Sequence, residues 1–167
     1  MRKKYQGSRF RLWALSLLFL FLLYPVIASA FSLTPPKGWE RIDDPEQLPQ
    51  KVSLIYIGAG KGQFTPSLNV ATEKTSLPLQ EYISLAKSYH ESQPDTRCTS
   101  LGKIQAKCGQ MELIQIDSPS QWGRVRFLQA ICIHEEIAYV VTATSLQEEF
   151  ASLVPLFHKS FQTFSLE

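Results

Sequence analysis

The spacing of apolar residues changes several times along this chain, and each change predicts an element. Residues 12–23 are almost unbroken Leu, Phe and Trp, interrupted by Ala14 and Ser16 and followed by Pro25. Residues 38–42 (GWERI) read as a brief strand with Trp39 and Ile42 as core anchors, and the polar stretch 43–50 with its two prolines as a loop or one helical turn. Residues 52–57 (VSLIYI) are β-branched and apolar, a strand. Residues 67–73 alternate Leu68, Val70 and Thr72 against Ser67, Asn69 and Ala71, a second strand across the glycine-rich loop 58–66. Between Pro78 and His90 the period shifts to three and four, carried by Leu79, Tyr82, Ile83, Ala86 and Tyr89, which predicts an amphipathic helix with Pro at its start.

Four strands follow, at 98–105, 110–117, 124–133 and 137–144, with connections at 106–109, 118–123 and 134–136. Connections this short favour antiparallel neighbours, because a parallel crossover needs a dozen residues or more. The last two strands (VRFLQAICI, IAYVVTAT) are apolar at nearly every position, so they belong at the centre, covered on both faces. Ser145-Leu146-Gln147-Glu148 has the form of a capping box, and Phe150, Leu153, Val154, Phe157 and Phe161 then make one apolar helical stripe, with a kink or restart expected at Pro155. Two helices and six or seven strands predict an α+β fold: a mainly antiparallel sheet with helices on its faces.

The first thirty residues read as a cleavable signal peptide. Arg2, Lys3, Lys4, Arg9 and Arg11 precede the apolar run, and Ala28-Ser29-Ala30 supplies small residues for cleavage. The run is shorter than the roughly twenty residues a membrane-spanning helix needs, which favours cleavage over a retained anchor. No cysteine lies near the junction to carry a lipid. Residues 31–167 then form a single domain, exported to the periplasm or cell envelope, with membrane contact only through the signal segment before cleavage. Five of the 17 bases and none of the 15 acids precede residue 31, so the remainder carries 12 bases against 15 acids, a net −3. There is no basic stripe, which argues against nucleic acid as a partner.

The layout resembles the PsbP-like sandwich, shared by an extrinsic photosystem subunit, a nuclear Ran-binding protein and small bacterial envelope proteins of the DcrB type. The matching stretches are Pro36-Lys37-Gly38-Trp39, Ser67-Leu68-Asn69-Val70-Ala71, Leu79-Gln80-Glu81-Tyr82, the strand from Ile137 to Thr144, and the final helix ending in Ser160-Phe161. The resemblance covers nearly all of residues 31–167. It implies a fold, and a binding or assembly role more than an activity, with no Ran-binding, calcium or manganese residues to carry over.

Candidate chemistry is sparse. Gly58-Ala59-Gly60-Lys61-Gly62 lacks the Ser or Thr and the following helix of a phosphate-binding loop. His134-Glu135-Glu136 lacks the second histidine of a zinc-peptidase helix, since position 138 is Ala, and His90 and His158 fall on different predicted helices. No nucleophile elbow is present. The chain is therefore expected to be no enzyme, with no cofactor and no metal site. Cys98, Cys108 and Cys132 include no C-x-x-C. In an oxidising compartment the candidate disulfide is Cys108 with Cys132, against the alternative of three free core thiols. If 118–123 turns the hairpin, Cys132 faces residue 109, one position away from Cys108.

Trp122, in a loop, with Arg124 and Arg126 on one face of the next strand, forms a candidate partner-binding surface, because Trp and Arg are enriched among interface anchors. The alternative folds Trp122 back onto the sheet and leaves the arginines solvated. The expected function is an exported, non-catalytic envelope protein that binds or helps assemble a protein partner. The rival is a carrier for a lipid or other apolar ligand, with the Phe-rich last helix lining a cavity.

Overall fold

Two long apolar strands organise the molecule. The computed structural model describes residues 31–42, 48, 51–60 and 64–167. The signal peptide expected at residues 1–30, most of the expected loop or helical turn at 43–50 and residues 61–63 lie outside the described residues. In chain order the elements are β1 (Phe31–Ser32), β2 (Glu40–Ile42), β3 (Val52–Ile57), β4 (Ser67–Lys74), α1 (Leu79–Glu91), β5 (Arg97–Ala106), β6 (Gly109–Ser120), β7 (Gly123–His134), β8 (Ile137–Leu146), α2 (Gln147–Gln162) and β9 (Ser165–Leu166). β2 to β8 form one seven-stranded antiparallel sheet in the order β2-β3-β4-β8-β7-β6-β5. The two strands expected at the centre are there, and the α+β class holds.

Each helix closes one face. α2 lies over Leu68, Val70, Met111, Leu113, Leu128, Ala130 and Val141, filling the space with Phe150, Phe157 and Phe161. α1 lies over a smaller cluster of Cys98, Ile114, Ile116 and Ile131, to which it contributes Ile83. Burying such a side chain stabilises by roughly 1.5–3 kcal/mol relative to leaving it in water, so the larger cluster carries more of the fold. Trp39 anchors the chain start by packing edge-on to Phe157 at 6.0 Å. Gly58 is required beneath it, since a Cβ there would meet the Trp39 ring at 2.4 Å.

Several local expectations are corrected. The 118–123 loop is only Gln121 and Trp122, because β6 runs on to Ser120, paired with Gly123. Pro119 is tolerated in that strand because β5 ends opposite Asp117, which leaves residue 119 on a sheet edge. The tighter turn moves the β6–β7 register by two residues from the expected one, pairing Glu112 with Ile131. The capping box does not form: Ser145 stays in β8 opposite Arg126 and bonds the Leu146 carbonyl, and Leu146 takes the N-cap position with no side-chain cap. α2 is continuous through Pro155, with no restart.

The lead-in before Trp39 contains an unexpected strand. Phe31 and Ser32 pair with Leu166 and Ser165, so β1 and β9 clasp the two ends of residues 31–167 together. Phe31 packs against Tyr139 and Phe164, at 6.3 and 5.9 Å between ring centres, and the hydroxyls of Ser32 and Ser165 lie 2.8 Å apart. Among the described residues no helix is long and apolar enough to cross a membrane.

Candidate functional site

The β6–β7 turn places Trp122 at one end of the sheet on a well-fixed support. Ser120 holds the turn twice: its hydroxyl donates to the Gly123 carbonyl at 2.8 Å and accepts from the Trp122 N–H at 3.1 Å. Gly123 follows at φ 111°, a conformation that a side chain would strain. Trp122 is 45% exposed. One ring edge does rest on Phe64, at 5.6 Å, so the side chain is partly folded back and still largely open to solvent.

Arg124 and Arg126 share one face of β7, as the strand alternation requires, but their surroundings differ. Arg124 is exposed and donates to the Asp95 carbonyl at 3.0 Å. Arg126 is half-buried and held internally: its Nε and one terminal nitrogen donate to the two Asp117 oxygens at 2.6 and 3.0 Å. Its guanidinium also sits 5.2 Å from the centre of the Phe150 ring. Gln115 donates a third hydrogen bond to Asp117 at 3.1 Å. A fork of two parallel charged hydrogen bonds is the strongest pairing available to Arg. Arg126 thus braces α2 on the sheet, while Trp122 and Arg124 form the accessible part of the predicted surface.

Three clefts open around this point. One of about 290 Å³ is lined by Trp122, Gly123, Arg124, Leu146, Gln147 and Glu148. A more polar one of about 440 Å³ is lined by Asp95, Thr96, Arg97, Asp117, Arg124 and Gln147. A third, of about 380 Å³, runs along α2 between Leu101, Ala151, Val154 and His158, with Arg126 on its wall. Arg124 is the ridge between the first two, and Gln147 borders all three. Gln147, Asp95 and Arg97 were not legible as site residues, because β5 and the start of α2 meet here only through the completed sheet. The sole sequence signal was the shared face of β7.

The remaining candidates are not brought together. His90 lies near the end of α1 and His158 on α2, on opposite sides of the sheet, and burial lowers the His90 imidazole below its ordinary value. His134 and Glu135 sit 3.8 Å apart in an exposed turn. Among the described residues no group of three His, Cys, Asp or Glu side chains could hold a metal ion. The Phe-rich face of α2 is packed into the core, with Phe157 and Phe161 fully buried, so those rings fill space that a carrier would leave open.

All three cysteines are free thiols in this structure. Cys98 belongs to the cluster under α1, whereas Cys132 is in the core under α2 and Cys108 packs against that core. The Cys108 thiol lies close enough to the Cys132 thiol for each to shift the other's titration. Burial raises both, Cys132 to about 12, and the neighbouring Cys132 thiol offsets part of the rise at Cys108.

No family model and no curated protein sequence matches the chain. Solved structures do match it. LpqN, involved in cell envelope biogenesis of Mycobacterium tuberculosis, aligns with a TM-score of 0.62 at 9% identity, covering 83% of this chain and 85% of that one. PA94, a protein of unknown function from Pseudomonas aeruginosa, gives 0.58 at 13% identity over 81% of this chain and 96% of that one. The Saccharomyces cerevisiae Ran-binding protein Mog1p gives 0.53 at 13% identity over 82% and 90%. At these identities the likeness is one of fold. With a seven-stranded antiparallel sheet and a helix on each face, the chain has an α+β sandwich fold shared with LpqN and Mog1p, the architecture that the sequence resemblance implied.

Proposed function

We propose that this chain is an exported, non-catalytic protein of the periplasm or cell envelope, of the DcrB type, that binds a protein partner through the rim formed by Trp122 and Arg124. The observation that carries the reading is a large aromatic side chain, 45% exposed, held on a braced turn beside an exposed arginine that separates two clefts. Ordering a rigid aromatic costs little entropy on binding, and Trp and Arg dominate interface energetics. Arg126 serves the same surface from beneath by fixing β7 against α2. The leader pattern supports export. The shared fold with LpqN, a protein described as involved in cell envelope biogenesis, agrees with a place in the envelope.

The test is crosslinking in intact envelopes from a photoreactive group placed at position 121, beside Trp122. A discrete crosslinked protein is expected, lost in Trp122→Ala and Arg124→Glu variants that keep their thermal midpoints. A chain that remains cytoplasmic, or a crosslink unaffected by both substitutions, would overturn the reading. The carrier reading rests only on the 380 Å³ cleft beside α2, whose Leu101, Leu128 and Val154 lining is apolar. Native mass spectrometry of the protein taken from envelopes would reveal a co-purified lipid if that cleft holds one.

A further inference from the structure

We infer that Cys108 and Cys132 are an oxidation site, which closes to an internal disulfide and leaves Cys98 as the single free thiol. Three pairings exist on paper, and the sheet removes two of them. Cys98 is opposite Ile116 and buried beneath α1, on the other face from Cys132. A bridge from Cys98 to either partner would have to pass through the sheet. Cys108 instead lies in the two-residue turn between Ala106 and Gly109 and packs against the core cluster under α2 that contains Cys132, on the same side of the sheet.

The two partners differ in access, which sets the order of events. Cys108 is half-buried at a turn, and Cys132 is buried in β7. The Cys108 thiolate therefore attacks an external disulfide first, forming a mixed disulfide and expelling one thiolate. Cys132 then loses its proton to solvent, attacks the Cys108 sulfur and expels the second. Two protons leave and the two electrons reduce the external disulfide to two thiols, so no other oxidant is needed.

The bridge has a structural consequence beyond its own loop. The turn that carries Cys108 holds the end of the chain: the Lys107 N–H donates to the Gln162 carbonyl at 3.1 Å, and the Cys108 N–H to the Phe164 carbonyl at 3.0 Å. Phe164 packs against Phe31 and Tyr139 under the β1–β9 clasp. Joining Cys108 to β7 therefore staples the clasp to the central sheet.

The chemistry stands on the geometry alone, and only its occurrence in the cell rests on export. Two measurements keep these apart. In the first, the complete chain is expressed, denatured in an alkylating reagent, digested and mapped by mass spectrometry, with cell fractionation alongside. Cys98 alone is expected to be alkylated in the exported fraction. In the second, reduced protein is equilibrated with excess glutathione disulfide. The same bridge is expected to form, about tenfold faster for each unit by which pH is raised while it stays below the thiol range, and its closure to raise the thermal midpoint by roughly 10 °C. Cys98→Ala should keep the bridge and Cys108→Ala should abolish it. Three alkylatable thiols when the equilibrated protein is denatured in the alkylating reagent, or a bridge containing Cys98, would overturn the inference. A bridge formed with glutathione disulfide in a chain found only in the cytoplasm would instead count against export.

Discussion

Over one face of the sheet α2 lays Phe150, Phe157 and Phe161, all buried; over the other α1 buries Ile83 alone and leaves Leu85 and Tyr89 more than half exposed. α1 makes up part of the difference with polar contacts. Tyr82 donates to Glu73 at 3.2 Å, Gln80 to Glu112 at 2.9 Å and Lys87 to Ser100 at 3.2 Å. One face is thus closed by apolar area removed from water, which salt hardly touches. The other relies on a small aliphatic cluster and exposed hydrogen bonds, each of which competes with water. The helices therefore differ in what would dislodge them, and the candidate interaction rim adjoins the firmly closed side.

The sharpest way to break this contrast is to remove one ring from the α2 face. Phe157 is fully buried and packs against both Trp39 and Phe150, at 6.0 and 5.8 Å. Phe157→Ala should cost about 4 kcal/mol in a denaturant titration, and Ile83→Ala about 2–3 kcal/mol. Equal losses would mean that α1 matters as much as α2 and that the two faces are not so different.

The next largest effect concerns the charged brace on that same face. Arg126→Ala removes two hydrogen bonds from Asp117 and the contact with Phe150, and should cost about 2 kcal/mol. Arg126→Met keeps an apolar stem over the ring and should recover part of that loss. If both variants unfold like the parent, the brace is not what seats α2 beside the rim, and Arg126 becomes a candidate contact in its own right.

How much of this could be read from the sequence follows from the same contrast. The α2 stripe of Phe150, Leu153, Val154, Phe157 and Phe161 was legible because its apolar positions are large and all of them turn inward. The α1 stripe was legible only in part: Ile83 is buried, but Tyr89, at the same helical spacing, is 65% exposed. Period reports one face of a helix, and the sheet area beneath α1 is too narrow to cover that whole face. The β1–β9 clasp had no signal, since two residues cannot show a period and their partners lie at the far end of the chain, 133 residues on for Ser32. The capping box misled because Ser145 was already committed to β8, and tertiary pairing overrode a local preference. Of the candidate site, Trp122 and the shared face of Arg124 and Arg126 were visible. The internal role of Arg126 depended on Asp117 and Phe150 meeting from two other elements, which no local pattern records.

The smallest effect is the most discriminating, because it should be confined to the α1 side. Glu73 accepts from Lys51 at 2.6 Å and from Tyr82 at 3.2 Å, and the hydrogen bond from Lys51, with that from Tyr82, holds its carboxyl below the ordinary 4.5 against an opposing contribution from burial. A carboxyl lowered in the folded state adds stability that is fully present above its unfolded value and is lost as pH falls through the lower, folded one. The Lys51 and Glu73 side chains are 58% and 42% exposed, so solvent screens the pair and Glu73→Gln should cost no more than about 0.5 kcal/mol. That difference should begin to fade as pH falls below 4.5 and be gone once the folded carboxyl is protonated, should shrink in 1 M salt, and should appear in hydrogen exchange of α1 while leaving α2 unchanged. If exchange rose equally in both helices, the two faces would open as one unit, and the division of the sheet into a firmly closed side and a loosely strapped side would fail.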